Sequence, residues 1–210
     1  MRPHRIAFPI ILALSLTAGR GAAYDGDLLQ NHDGSFELAY SWGYRLQPPD
    51  HGSFAEGFEG TGEVTGMAVY LTTANGLSIA EPDLYIWESV DAQPGAVITV
   101  VPRAFQSPIA FWPGVSRHDA TIEATVSGPF FAGLWPNFGD DMYYVAADLN
   151  GPGGTPRTKV PPGQDPAPGW RDVNDVWNDG IRSLGIEVYL VRAPTATKTV
   201  AWGRVKDLYR

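Results

Sequence analysis

The chain has 210 residues, with 15 Lys and Arg against 23 Asp and Glu, a formal charge of −8 and no cysteine. That balance makes it a poor ligand for nucleic acid or any other polyanion. The absence of thiols excludes disulfides, thiolate metal sites and a lipid-bearing cysteine, so stability has to come from packing, which a chain of this length can supply.

Met1–Arg5 is basic, Ile6–Ala18 is apolar apart from Ser15 and Thr17, and Gly21-Ala22-Ala23 offers a small-x-small cleavage site. This is the build of a secretory signal peptide. Its apolar run of about 13 residues falls short of the roughly 20 that cross a bilayer, so no stable transmembrane anchor is expected. Residues 1–23 carry three arginines and no acid, so their removal leaves a mature chain of 187 residues, starting at Tyr24, with a charge of −11. Export without cysteine suits a bacterial exterior, cell surface or periplasm. No Asn-x-Ser/Thr sequon argues for glycosylation.

Gly and Pro contribute 24 and 18 residues, and they punctuate runs rich in aromatic and β-branched residues, the pattern of an all-β antiparallel sandwich. Asp27–Gln30 and Ser35–Tyr40 flank Asp33-Gly34, a good turn pair, and predict a hairpin. Gly62–Thr73 reads as a long strand with Val64, Met67, Val69 and Leu71 apolar and Gly66 a bulge where the alternation slips. Asp83–Val90 alternates Leu84 and Ile86 with Tyr85 and Trp87. A turn at Gln93-Pro94-Gly95 precedes a strand over Ala96–Val101. Thr121–Val126, Phe130–Trp135, Met142–Ala147 and Leu184–Val191 complete nine or ten strands, with helix a minor component. The proline-rich connection from Asn150 to Trp170 is too long for a hairpin turn and reads as a stiff surface loop.

The sandwich domain spans residues 24–192, followed by a short linker, 193–198, and a basic amphipathic tail, 199–210. Within that tail Trp202, Val205, Leu208 and Tyr209 share one helical face, while Arg204, Lys206 and Arg210 fall mostly on the other. The tail is a short terminal helix docked on its own domain, a sorting or attachment tag carried by Trp202, Val205, Lys206, Leu208, Tyr209 and Arg210 and read by export or surface machinery, or a frayed end without function. It resembles carboxy-terminal tails of the form Trp-Gly-x-Val/Ile-Lys-x-x-Tyr/Phe-Arg in exported bacterial proteins. In the body, Val64–Leu71, Asp83–Glu88 and Gln93–Ile98 together resemble a strand and turn pattern frequent in bacterial secreted β-sandwich modules of uncharacterised type. That resemblance implies a jelly-roll-like sandwich and assigns no catalytic residue.

Candidate chemistry is sparse. Asp148 and Asn150, two apart before Gly151, open like a calcium loop, but the positions beyond supply no further ligands, so an Asx turn is the expected reading and a loose calcium site the alternative. No other cofactor is implied. His32, His51 and His118 lie in no metal-binding spacing. Ser116, His118 and Asp119 make a weak nucleophile relay with no Gly-x-Ser-x-Gly elbow. Glu56, Glu59, Glu63, Glu88 and Glu123 would need a defined separation in space to act as a glycosidase pair. Aromatic residues carry more: Trp42, Tyr44, Phe54, Phe58, Trp87, Phe111, Trp112, Trp135, Phe138, Trp170 and Trp177. Most belong in a core, but Trp112, Trp135 and Trp170 neighbour Pro or Gly and are the expected exposed faces for stacking on sugar rings. The leading expectation is a secreted, non-enzymatic sandwich that binds polysaccharide or another surface ligand through these residues. A structural or adhesive surface protein attached through its tail is the alternative, and a carboxylate-pair glycoside hydrolase a weaker one.

Overall fold

The computed structural model describes residues 4–6, 24–42, 51–74, 79–136, 143–164 and 166–194. Most of the expected leader, the tail 199–210, Tyr44, Phe138, and Asp140 and Asp141 just upstream of the Asp148–Gly151 turn lie outside the described residues.

Fourteen strands appear among the described residues: β1 (His4–Ile6), β2 (Asp27–Gln30), β3 (Leu38–Ser41), β4 (Phe54–Thr73), β5 (Ile79–Ala80), β6 (Asp83–Val90), β7 (Gln93–Val101), β8 (Ser107–Pro108), β9 (Ser116–Trp135), β10 (Tyr143–Asp148), β11 (Arg157–Val160), β12 (Gly169–Asp172), β13 (Ser183–Leu184) and β14 (Ile186–Arg192). One short helix, α1 (Val173–Trp177), starts on Asp172, whose side chain accepts from Asn174 N–H. The strands pair antiparallel and pack as a sandwich-like all-β fold, the class the punctuation predicts.

Its spine is β4 against β9, two strands of 20 residues paired from Phe54–Leu134 to Leu71–Ser116. Along β4 the core face falls on Phe54, Phe58 and Val64, then on Met67, Val69 and Leu71. The parity changes at a register shift between Val64 and Gly66, where β4 carries one residue more than β14, Thr65, and one fewer than β9, and the apolar side stays inward. The bulge expected at Gly66 is therefore present. Along β9 the alternation is unbroken, with Ala120, Ile122, Ala124, Val126, Phe130, Ala132 and Leu134 inward. β14 and β10 extend the sheet from the second half of β4, and β6 and β7 extend it from the second half of β9. Each large side chain these strands bury stabilises by about 1.5–3 kcal/mol.

Several sequence expectations are corrected. β2 and β3 do not form a hairpin: β2 pairs with β14 and β3 with β10, so Asn31–Gly34 is a crossover between strands of different neighbourhoods. The β6–β7 turn lies at Asp91–Ala92, both left-handed (φ 51° and 57°) as a two-residue hairpin loop requires, and Gln93–Gly95 belongs to the strand. Thr121–Val126 and Phe130–Trp135 are one strand. The Asn150–Trp170 connection contains the β11–β12 hairpin, which packs Trp170 over Trp87 on the outer side of the sheet. β1 lies within the expected leader and pairs with the edge of β3.

Candidate functional site

Period two along three adjacent strands decides what the outer face displays. Where Val69, Met67 and Val188 point into the core, their neighbours Tyr70, Ala68 and Gly66 on β4, Glu187 and Tyr189 on β14, and Arg117, Asp119 and Thr121 on β9 point out. Register then sets them side by side: Tyr70 opposite Arg117, Ala68 between Glu187 and Asp119, and Gly66 between Tyr189 and Thr121. The two small residues on the central strand leave a shallow trough. Tyr24 fills part of it, its ring lying where a side chain at Gly66 would be, 4.9 Å from the Tyr189 ring and in hydrogen-bond contact with Thr121.

Arg117 organises the polar groups. Its Nε and Nη2 donate to Glu187 Oε2 at 3.2 and 3.0 Å, Nη2 also donates to the Tyr189 hydroxyl at 2.7 Å, and Nη1 lies 2.7 Å from the Asp119 carboxylate. Tyr70 donates to Glu187 Oε1 at 2.9 Å. Behind it His32 is buried; its Nδ1 accepts from Gly34 N–H, which leaves the ring proton on Nε2, 3.4 Å from the same carboxylate. Burial by itself would push Glu187 up, but hydrogen bonds from His32 and Tyr70 and the Arg117 guanidinium hold it below the usual carboxylate range. Burial raises Asp119, Arg117 pulls it back, and the neighbouring Glu187 charge raises it further. The result is a half-buried face of three tyrosines around an ion cluster.

The residues singled out from sequence for ligand binding are not on this face. Trp112, Trp135 and Trp170 are buried, at 8, 5 and 9% exposure. Trp112 packs with Ala39 and Tyr144, Trp135 donates its indole N–H to the His51 carbonyl, and Trp170 meets Trp87 edge-on with Lys159 over its ring. A neighbouring Pro or Gly marks where the chain turns, not which way the ring points. Of the aromatic set, Phe111 is exposed.

Asp148 is fully buried and acts on backbone: Oδ1 accepts from Asn150 and Gly151 N–H, and Oδ2 from Asp33 N–H. Asn150 is tied to Glu37 and Ser35. Both are the fittings of the expected Asx turn, with the Asp148 carboxylate accepting from three backbone N–H groups.

Ser116 and His118 do meet, but not as a relay. Ser116 Oγ is 2.7 Å from His118 Nε2, and Ser107 Oγ is 2.6 Å from Nδ1, so hydroxyls cap both ring nitrogens. Asp119 points to the opposite face of β9. Burial alone pulls His118 down to about 4, which keeps it neutral under Phe105.

Glu56 is also fully buried and is the pin of the loop region. Its Oε1 accepts from Thr155 N–H, Asn31 Nδ2 and Gly57 N–H, and its Oε2 from Leu184 N–H. Burial pushes its carboxyl up to about 7 against the pull of these four donors. Glu59, Glu63, Glu88 and Glu123 are exposed and share none of this environment. An open groove of about 580 Å³ beside it is lined by Leu28, Asn31, Phe58, Glu59 and Phe131 among others, and its phenylalanine side chains are buried.

Compared with known family models, curated proteins and solved structures, the chain matches none.

Proposed function

We propose that this chain is an exported, non-catalytic β-sandwich module, of the jelly-roll-like kind, that binds a saccharide at the cell surface or outside the cell. The observation that carries the reading is the Tyr24–Tyr189 pair flanking the Arg117–Asp119–Glu187 cluster on the outer face of β14, β4 and β9. Aromatic faces take the C–H side of a pyranose, and fixed carboxylate, hydroxyl and guanidinium groups at their edge take its hydroxyls. The leader-like residues 1–23 supply the address. Binding on an ordered sheet rather than on loops keeps the site pre-formed, which lowers the cost of association.

Glycan-array screening and affinity electrophoresis of the chain from Tyr24 onward on insoluble polysaccharides test this reading. Retention by at least one glycan is expected, with a roughly tenfold loss in Tyr189→Ala and in Tyr24→Ala, equivalent to about 1.4 kcal/mol. Trp112→Phe, which alters a buried ring, should leave retention unchanged. No retention on any glycan would overturn the proposal.

A further inference from the structure

We infer that the outer-face site selects uncharged glycans and rejects those bearing uronate, sulfate or phosphate groups; this rests on the saccharide-binding reading above and names its ligand class. The cation of the cluster, Arg117, is already engaged by protein oxygens. Arg117 faces two carboxylates, Glu187 and Asp119, both within 3.0 Å of its guanidinium nitrogens, and a tyrosine hydroxyl takes part of what remains. A guanidinium binds an incoming anion by presenting two parallel N–H donors to it, and here those donors are already given to protein oxygens. Two carboxylates around one guanidinium leave the site with an excess negative charge, set in a mature chain of charge −11.

The neighbours reinforce that sign. Tyr70 spends its donor on Glu187, and the His32 Nε2 lies 3.4 Å from the same carboxylate. The Asp119 carboxyl is raised partly by the Glu187 charge beside it, so the two acids already repel one another. An anionic sugar would therefore meet repulsion with no free cation on this face among the described residues to offset it, and like-charge juxtaposition of this kind is a common means of rejecting wrong partners. An uncharged sugar meets acceptors instead: the Asp119 carboxylate and the Thr121 hydroxyl at the trough's edge suit hydroxyl donors, and the Tyr24 and Tyr189 rings suit a C–H face.

Affinity electrophoresis of the chain from Tyr24 onward, run against a panel of neutral glucans, mannans and galactans and of uronate-bearing alginate and polygalacturonate, tests the inference. Retention on a neutral glycan at least tenfold stronger than on any acidic one is expected, and added salt should leave the neutral retention unchanged. Asp119→Asn removes one of the two repelling charges while leaving Arg117 and Glu187 paired, and should narrow the neutral-to-acidic ratio several-fold. Equal or stronger retention on an acidic glycan would overturn the selectivity and leave saccharide binding standing. A ratio unmoved by both Asp119→Asn and salt would overturn the electrostatic basis, and no retention on either class would overturn the binding itself.

Discussion

At the scale of single residues, two buried titratable groups oppose each other across the mildly acidic range. His118 is lowered from 6.5 to about 4 by burial, so its contribution to stability is complete above pH 6.5 and is lost as pH falls toward 4, where the unfolded chain takes the proton first. Glu56 is raised from 4.5 to about 7, so its contribution is complete below pH 4.5 and is lost as pH rises toward 7. Each swing is on the order of 3 kcal/mol from the linkage between pKa and stability. Urea midpoints should therefore show the gap between wild type and His118→Asn shrinking as pH falls from 6.5 to 4. The gap between wild type and Glu56→Gln should shrink as pH rises from 4.5 to 7. Gaps that stay constant with pH would show that neither group titrates differently on folding. At pH 5, Glu56→Gln also turns an amide N–H toward a ring of N–H donors, a loss of about 1–3 kcal/mol for the unsatisfied groups.

At the scale of elements, the β4–β9 ribbon depends on glycines that do different things. Gly133 sits opposite Ala55, and a Cβ there would strike the Phe54 carbonyl and the Ala55 Cα, both backbone atoms that cannot move aside. Gly133→Ala should cost roughly 3 kcal/mol or more and show as a large fall in melting temperature. Gly66 is different, because the atoms nearest to a Cβ there all belong to the Tyr24 ring. Gly66→Ala should cost under about 1 kcal/mol yet displace Tyr24 from the trough and weaken ligand retention with it. Equal thermal losses in the two variants would contradict this division between a packing glycine and a site-shaping one.

At the scale of the whole molecule, β1 occupies the outer edge of β3 through three rungs, His4–Ser41, Arg5–Tyr40 and Ile6–Ala39. If residues 1–23 are removed on export, β3 keeps β10 on its other side but loses that cover. Hydrogen exchange should then show faster exchange within Leu38–Ser41 in the chain from Tyr24 onward than in the full chain, with β4 and β9 equally protected in both. Matching exchange at β3 would mean that β1 gives it no protection. β7 likewise has a single strand partner among the described residues, β6, and Val97 and Val100 stand exposed on it at 48 and 41%.

By itself the sequence determined what depends on local pattern: the all-β class, the β6 strand over Asp83–Val90 and the bulge at Gly66. Alternation and a well-placed glycine act over a few residues and need no distant partner. The first half of β4, Phe54–Thr61, escaped that reading because Gly57, Gly60, Glu56 and Glu59 dilute its pattern, and only pairing with Ser127–Leu134 makes it a strand. The outer-face site was hidden for the same reason on a larger scale. Period two marks Tyr70 and Tyr189 as outward-facing, but that Arg117 from the middle of the chain joins Glu187 from its far end follows only from the order β14-β4-β9. Tertiary structure also decided against Trp112, Trp135 and Trp170, since the free energy of burying an indole draws it inward wherever the fold has room, whatever its neighbours in sequence.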